Sequence, residues 1–340
     1  MRCEIFTRTN LCVIGLDSFP FFASEMPLPA LAAAAMGAVA AMSSGGKSET
    51  TQELLRAISA DDSALEALTP LSDANEEAAL RLLQRAVEED HALSWVSGPE
   101  NGGKHPDLVR FIVRWNLHVA RSVGHCICVQ EAGVMKGLAL LLPPRVEEST
   151  SVRLRATMTV GLPPMDKDVR AWGRPAAVRF AAWHRARASM HGAAVPSATA
   201  KHGGAMPGAW AGPRQPHWRL MLLAVGDRDE RGALVPGPPE WRLRVSSLLL
   251  RAVAAAADRD GWMAFVECTG SPEHATLRMA AIITQFEVVR QRPLEGPGAE
   301  PFDTNGGLCA MIRRPHSERF QQPSVNGVGS SSTMQGEVEE

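Results

Sequence analysis

The chain has 340 residues, 45% of them apolar and 21% charged, with a formal net charge of −2. That length suffices to bury one large core or two small ones, and the near-neutral balance supplies no basic field for a nucleic-acid partner. Tyrosine is absent altogether, which removes one common general acid from any mechanism.

Residues 1–60 read as a leader, disordered or targeting. Met26 to Gly46 carries no charge, but it is mostly alanine, broken by Pro27, Pro29 and Gly37. Alanine scarcely favours insertion, so no stable membrane span is expected. A targeting peptide and a disordered arm remain the alternatives. The expected address is the cytoplasm, or an organelle if the leader is a targeting peptide. Met26, Met36 and Met42 are alternative starts.

The folded part is expected over 61–315. Leu65 to Leu71 is a strand candidate. Ser72 and Asp73 supply capping chemistry for a helix over 76–89 with Leu80, Leu83, Ala86 and Val87 inward. A second helix, over 107–121, sets Leu108, Phe111, Ile112, Trp115 and Val119 on one face. Two strands, 125–130 and 134–142, flank Glu131-Ala132-Gly133, a turn of hairpin length. Cys126 and Cys128 fall on one face of the first strand, with no second Cys/His pair at zinc spacing. Buried free thiols in a reducing compartment are the expectation, and no metal.

Residues 145–215 read as an insert with one helix, about 174–190, and a flexible connection over 192–215. Arg179, His184, Arg185 and Arg187 lie on that helix's polar side and are read as a solvated face. Then comes an apolar run, Trp218 to Val225, of the length of a buried strand. A polar loop, 226–242, leads to a helix with Val245, Leu248, Leu249, Ala252, Val253 and Ala256 at helical spacing. Trp262 to Thr269 is another apolar strand. Ser271-Pro272-Glu273 starts a helix that runs to about Ile283. Short strands follow at 286–290 and 308–313, and 316–340 reads as a disordered tail.

This order of elements resembles the GNAT superfamily of acetyl-CoA-dependent N-acetyltransferases over about residues 65–314. HWRLMLLAV is similar to the family's fourth strand. RVSSLLLRAVAAAADRDGWMAFVECT is similar to the following helix and fifth strand, and FEVVRQRPL and GLCAMIRRP to the closing strands. SVGHCICVQEAGVMKGLALLLPP matches the second and third strands. The resemblance implies an α/β fold. Its sheet is mixed, mostly antiparallel, of six to seven strands flanked by helices, and splays into a V between the fourth and fifth strands.

The resemblance also implies acetyl-CoA as co-substrate and an amine acceptor, small molecule or protein. The pantetheine arm would pair with the end of the fourth strand, at Leu223, Ala224 and Val225. The pyrophosphate would sit on amides of a loop written Gln/Arg-x-x-Gly-x-Gly/Ala, where missing Cβ atoms let N–H groups close on phosphate. Arg231 and Gly232 match its opening. Ala233 to Arg242 then intervenes, a true insertion or a gene-model artefact. Arg244, Val245, Ser246 and Ser247 stand where the family has Gly-x-Gly-Ser, with Arg242 or Arg244 as alternative side-chain contacts to phosphate. The family's acid tyrosine falls at Leu277, which cannot donate a proton.

Glu267, ending a buried strand, is the candidate general base, since burial would raise its pKa; the competing reading is a carboxylate bonded to nearby backbone. His274 lies near the thioester or merely on a helix surface. His217 and Trp218 open the fourth strand, to line an acceptor pocket or to pack the core. The function expected is transfer of acetyl from acetyl-CoA to a primary amine by direct attack in a ternary complex. The alternative is a catalytically weak or inactive member of the fold that binds a ligand or partner.

Overall fold

The computed structural model describes residues 12–13, 49–88, 106–144, 150–161, 185–195, 215–228, 237–269, 275–293 and 307–315, with a few single positions between them. Ten strands are β1 (Cys12–Val13), β2 (Leu68–Pro70), β3 (His125–Glu131), β4 (Val134–Leu142), β5 (His217–Val225), β6 (Asp227–Arg228), β7 (Leu234–Val235), β8 (Met263–Thr269), β9 (Glu287–Pro293) and β10 (Gly307–Arg313). The helices are α1 (Thr51–Ser59), α2 (Glu76–Glu88), α3 (Pro106–Val123), α4 (Thr150–Val160), α5 (residues 185–194), α6 (Pro239–Asp260) and α7 (Ala275–Ile283).

Seven strands form the main sheet in the order β2-β3-β4-β5-β8-β10-β9, and β1 joins β5 beside that path. Every neighbouring pair runs antiparallel except β5 with β8. The mixed, mostly antiparallel sheet expected from the sequence is therefore present. β5 is central, and all nine of its residues are buried. That explains why its sequence is a near-continuous apolar run, since a strand covered on both faces has no side for polar residues.

Helices cover both faces. On one, α2, α3 and α5 pack over Cys126, Cys128, Leu138, Leu140, Leu222, Ala224 and Phe265. On the other, α1, α6 and α7 pack over Ile127, Ala139, Leu141, Trp218, Leu220, Leu223 and Val266. The face on which β5 residues lie changes partway along it. Leu141 pairs with Leu220 and Leu140 with Leu222, so Met221 is an extra residue, a β-bulge. Before it the even-numbered residues of β5 face α6; beyond it the odd-numbered ones do.

α6 is tightly seated. A Cβ on Gly137 of β4 would lie 2.7 Å from a Val245 methyl and 3.1 Å from a Leu249 methyl, so glycine there lets the helix lie close to the sheet. The helix ends at Gly261, whose φ of +69° is the left-handed cap, and Trp262 N–H closes back on the Ala257 carbonyl at 3.0 Å.

The globular part begins earlier than expected. α1 falls inside the presumed leader, at Thr51–Ser59, with Leu54, Leu55 and Ile58 buried. Thr50 and Glu53 form a reciprocal capping box at its start. Arg259 at the end of α6 grips Glu49 through two N–H groups, at 2.7 and 2.9 Å. The polar loop expected over 226–242 also differs, because β6 and β7 pair within it and α6 already starts at Pro239. α4 has no counterpart among the expected elements.

Candidate functional site

β5 and β8 pair for only three residues each, His217 with Met263, Trp218 with Ala264 and Arg219 with Phe265. Both strands continue, to Val225 and Thr269, but not as partners. Each keeps its outer neighbour, β4 along Arg219–Val225 and β10 along Ala264–Thr269. The sheet therefore parts into a V just after Arg219 and Phe265, as the resemblance implied for the fourth and fifth strands. Met221, the bulged residue, sits at the point of parting. Leu223, Ala224 and Val225 lie along the open edge, with Ala139, Leu138 and Gly137 opposite them on the other side.

Glu267 stands on β8 beyond the parting, 1% exposed. Arg187 of α5 holds its carboxylate in a fork, Nε to Oε1 and Nη2 to Oε2, the latter at 3.3 Å. Arg187 is itself 1% exposed, and its guanidinium lies 4.9 Å from the Trp183 ring centre. The expected competitor to a general base was a backbone contact; the structure adds a charged side chain from the insert as a partner. The reading of Arg179 and Arg187 as a solvated face is corrected here, since both are buried. An arginine buried opposite a lone carboxylate is the arrangement that two charges adopt when water is removed from both.

Beside this pair, where the strands are still joined, His217 and His191 meet at 3.1 Å between their Nε2 atoms, both buried. His217 Nδ1 lies 2.9 Å from the Gln215 carbonyl oxygen, which can only accept, so Nδ1 carries a proton. One of the two Nε2 atoms carries the proton shared between them. Phe265 packs against both rings, 4.5 Å from His191 and 6.1 Å from His217 by ring centres. Trp218, on the opposite face, donates from Nε1 to Asp260 at 3.1 Å and packs in the core.

Of the residues assigned to the expected phosphate loop, the structure places only the second group, Arg244 to Ser247. Arg231 and Gly232 lie outside the described residues, as does His274. Arg244, Val245, Ser246 and Ser247 lie inside α6, more than a turn past its start, so their N–H groups bond to carbonyls four residues earlier and cannot converge on an anion. The physical reason is Pro238-Pro239. Proline at the first helical position is preorganised for a helix, and α6 nucleates there rather than at 244. Arg242 N–H already bonds to the Pro238 carbonyl at 3.0 Å.

The side chains agree with that placement. Arg244 pairs with Glu131 of the β3–β4 hairpin at 2.8 Å, Val245 packs on Gly137, and Ser246 is buried. Arg242 is buried too. Lys136 forms an ion pair with Asp227 and sits 5.8 Å from the Trp241 ring centre, tying the β6–β7 segment to the sheet.

Among the described residues no three His, Cys, Asp or Glu side chains group as a metal would need, and no helix is long and apolar enough to cross a membrane. Cys126, Cys128, Cys268 and Cys309 are free and buried. Burial pushes the Cys126 and Cys128 thiols up to about 12, which makes them poor nucleophiles at neutral pH.

No protein-family model and no curated protein sequence matches the chain. Among solved structures, the chain is similar to a histone acetyltransferase and related acetyltransferase from Corynebacterium glutamicum. That likeness has 17% identity, covers 76% of this chain and 98% of the other, and has a TM-score of 0.40. It is also similar to a polyamine N-acetyltransferase from Drosophila melanogaster at 11% identity, over 73% of this chain and 98% of that one, with a TM-score of 0.39. An agmatine N-acetyltransferase has 10% identity over 73% and 98%, with a TM-score of 0.41. The strand order, its single parallel pair and the parting of that pair after three residues give the chain a GNAT-like fold.

Proposed function

We propose that the chain is an N-acetyltransferase that moves an acetyl group from acetyl-CoA to a primary amine by direct attack in a ternary complex. The observation that carries this reading is the parting of β5 from β8. It frees one backbone edge of a central buried strand from β8, the surface along which an extended amide-bearing arm can bond. In the reaction the amine nitrogen attacks the thioester carbonyl, the C–N bond forms, the C–S bond breaks, and the amine proton ends on the departing thiolate or on water. Holding the two reactants in line supplies much of the rate. The His191–His217 pair can hold a proton close by. The acceptor is an amine on a small molecule or a protein, with no nucleic-acid partner and no metal.

A second reading, a ligand-binding member of the fold with little catalysis, is favoured by two observations. Glu267 bonds to Arg187, and Arg244 to Ser247, assigned to the loop, lie inside a helix that starts on proline.

Calorimetry on the full chain with acetyl-CoA and with acetyl-pantetheine, which lacks the pyrophosphate, tests both. Micromolar binding of acetyl-CoA, followed by acetyl transfer to agmatine, a polyamine or a lysine-bearing peptide, is the expected result. With α6 amides turned inward, the two thioesters should bind within about ten-fold, less than a cradled pyrophosphate would add. A cooperatively melting chain that binds neither thioester overturns the enzyme reading.

A further inference from the structure

The open edge of β5 already has a backbone partner, and it comes from the N-terminal segment. β1 pairs antiparallel with β5, setting Cys12 opposite Leu223 and Val13 opposite Leu222. It touches β8 and α2 as well as β5, so it lies within the V rather than on its outside. The opposite edge of β5 is taken by β4 from Arg219 to Val225. β1 therefore uses the very groups that the loss of β8 leaves facing the opening.

This placement has a physical cause. Backbone N–H and C=O groups in a buried strand must be satisfied by something, and a bare edge inside a protein is a template for any extended chain. Residues 11–14 read Leu-Cys-Val-Ile, a short apolar run that suits such an edge. Residues 14–48 join β1 to the start of the globular part.

An amide-bearing acyl donor lying along Leu222–Val225 would need the same edge, and one strand edge takes one partner at a time. We propose that the N-terminal segment is a self-inhibitory strand. Residues 12–13 occupy the opening in the free chain and must leave before the donor's arm can lie along β5. The proposal rests on the acyl-CoA reading given above. It makes the measured affinity of the full chain lower than that of the open site, by the fraction of chains in which the strand is out.

The test uses the full chain and its Cys12→Pro/Val13→Pro variant. Proline keeps an extended backbone but has no N–H to give to a ladder, so β1 loses its donated bond to β5 while its carbonyls can still accept and the globular part is untouched. Two readouts are taken, acetyl-CoA affinity by calorimetry and amide hydrogen exchange over 217–228 without ligand. A net ladder bond is worth a factor of about two to ten, and one of the two N–H groups faces β5, so the variant should bind acetyl-CoA about two- to ten-fold tighter and exchange faster at Leu222 or Leu223. Unchanged exchange overturns the proposal, because the strand was then never on that edge. Faster exchange with equal affinity overturns it also, since the strand would be present but not in competition, while the acyl-CoA reading stands. If neither protein binds the thioester, both the acyl-CoA reading and the inhibitory role fall.

Discussion

Replacing Glu267 by alanine separates a catalytic from a structural carboxylate. Arg187 and Glu267 are each 1% exposed, so truncating one leaves the other as a charge without its fork partner in a dry interior. Breaking a buried pair from one side costs about 3–5 kcal/mol. That is about a fifth or more of a typical domain's stability of about 5–15 kcal/mol. With a urea m-value of about 3 kcal/mol/M, the unfolding midpoint should fall by about 1–1.7 M. Removing both charges, as Arg187→Met with Glu267→Leu, should recover most of that loss, since a well-packed apolar pair is often neutral or better. The measurement is a double-mutant cycle by urea unfolding, with acetyl transfer followed in each folded variant. A single Glu267→Ala loss under about 1 kcal/mol would refute the reasoning. If Glu267→Gln stayed fully stable yet lost a hundred-fold or more in turnover, Glu267 would be the base and its bond to Arg187 incidental.

The remaining predictions concern the scaffold around the opening. Burial of His125, modulated by Glu49, Arg259 and Asp260, takes its pKa down to about 4 from 6.5. Between those values the unfolded chain binds more protons than the folded one, so stability is fully present above about pH 6.5 and is lost as pH falls toward 4. The loss is on the order of 3 kcal/mol by linkage, and urea midpoints at pH 7 and pH 4.5 should draw together in His125→Phe. Gly137→Ala should destabilise by about 1–3 kcal/mol through overpacking against Val245 and Leu249; an unchanged thermal midpoint would refute the tight seating of α6.

Much of the fold was legible because the strands and the core helices carry their burial in their composition. β5 is covered on both faces and reads as an apolar run interrupted only at Arg219 after its opening histidine; α6 is covered on one and reads as a stripe. What escaped notice has specific causes. α1 carries the Thr50/Glu53 capping box, a readable signal, but it follows a long alanine-rich segment that drew the whole region into the leader. α4 shows no single apolar face, so periodicity could not find it. β1 is two residues long, and such a strand exists because an edge awaits it.

The site was harder to read than the fold because its contacts join residues far apart in the chain. Nothing local in RARASM says that Arg187 is buried, since the helical polar face looks the same whether it meets water or a carboxylate eighty positions away. The phosphate region shows the opposite difficulty. There the local signal, Pro238-Pro239, was present and decisive, but alignment to a family motif placed the helix start at Arg244. Local backbone chemistry outweighs a matched position here, because proline fixes φ near the helical value and is favoured at the first position of a helix. With α6 starting at Pro239, the first free N–H groups belong to Glu240 and Trp241. The carboxylate of Glu240 in that first turn takes the favourable interaction that a helix dipole would otherwise give a phosphate. Under the acyl-CoA proposal, donor recognition would rest on the edge of β5 that β8 leaves, the same edge that β1 covers. The comparison of acetyl-CoA with acetyl-pantetheine and the proline variant of β1 consequently examine one surface from its two sides.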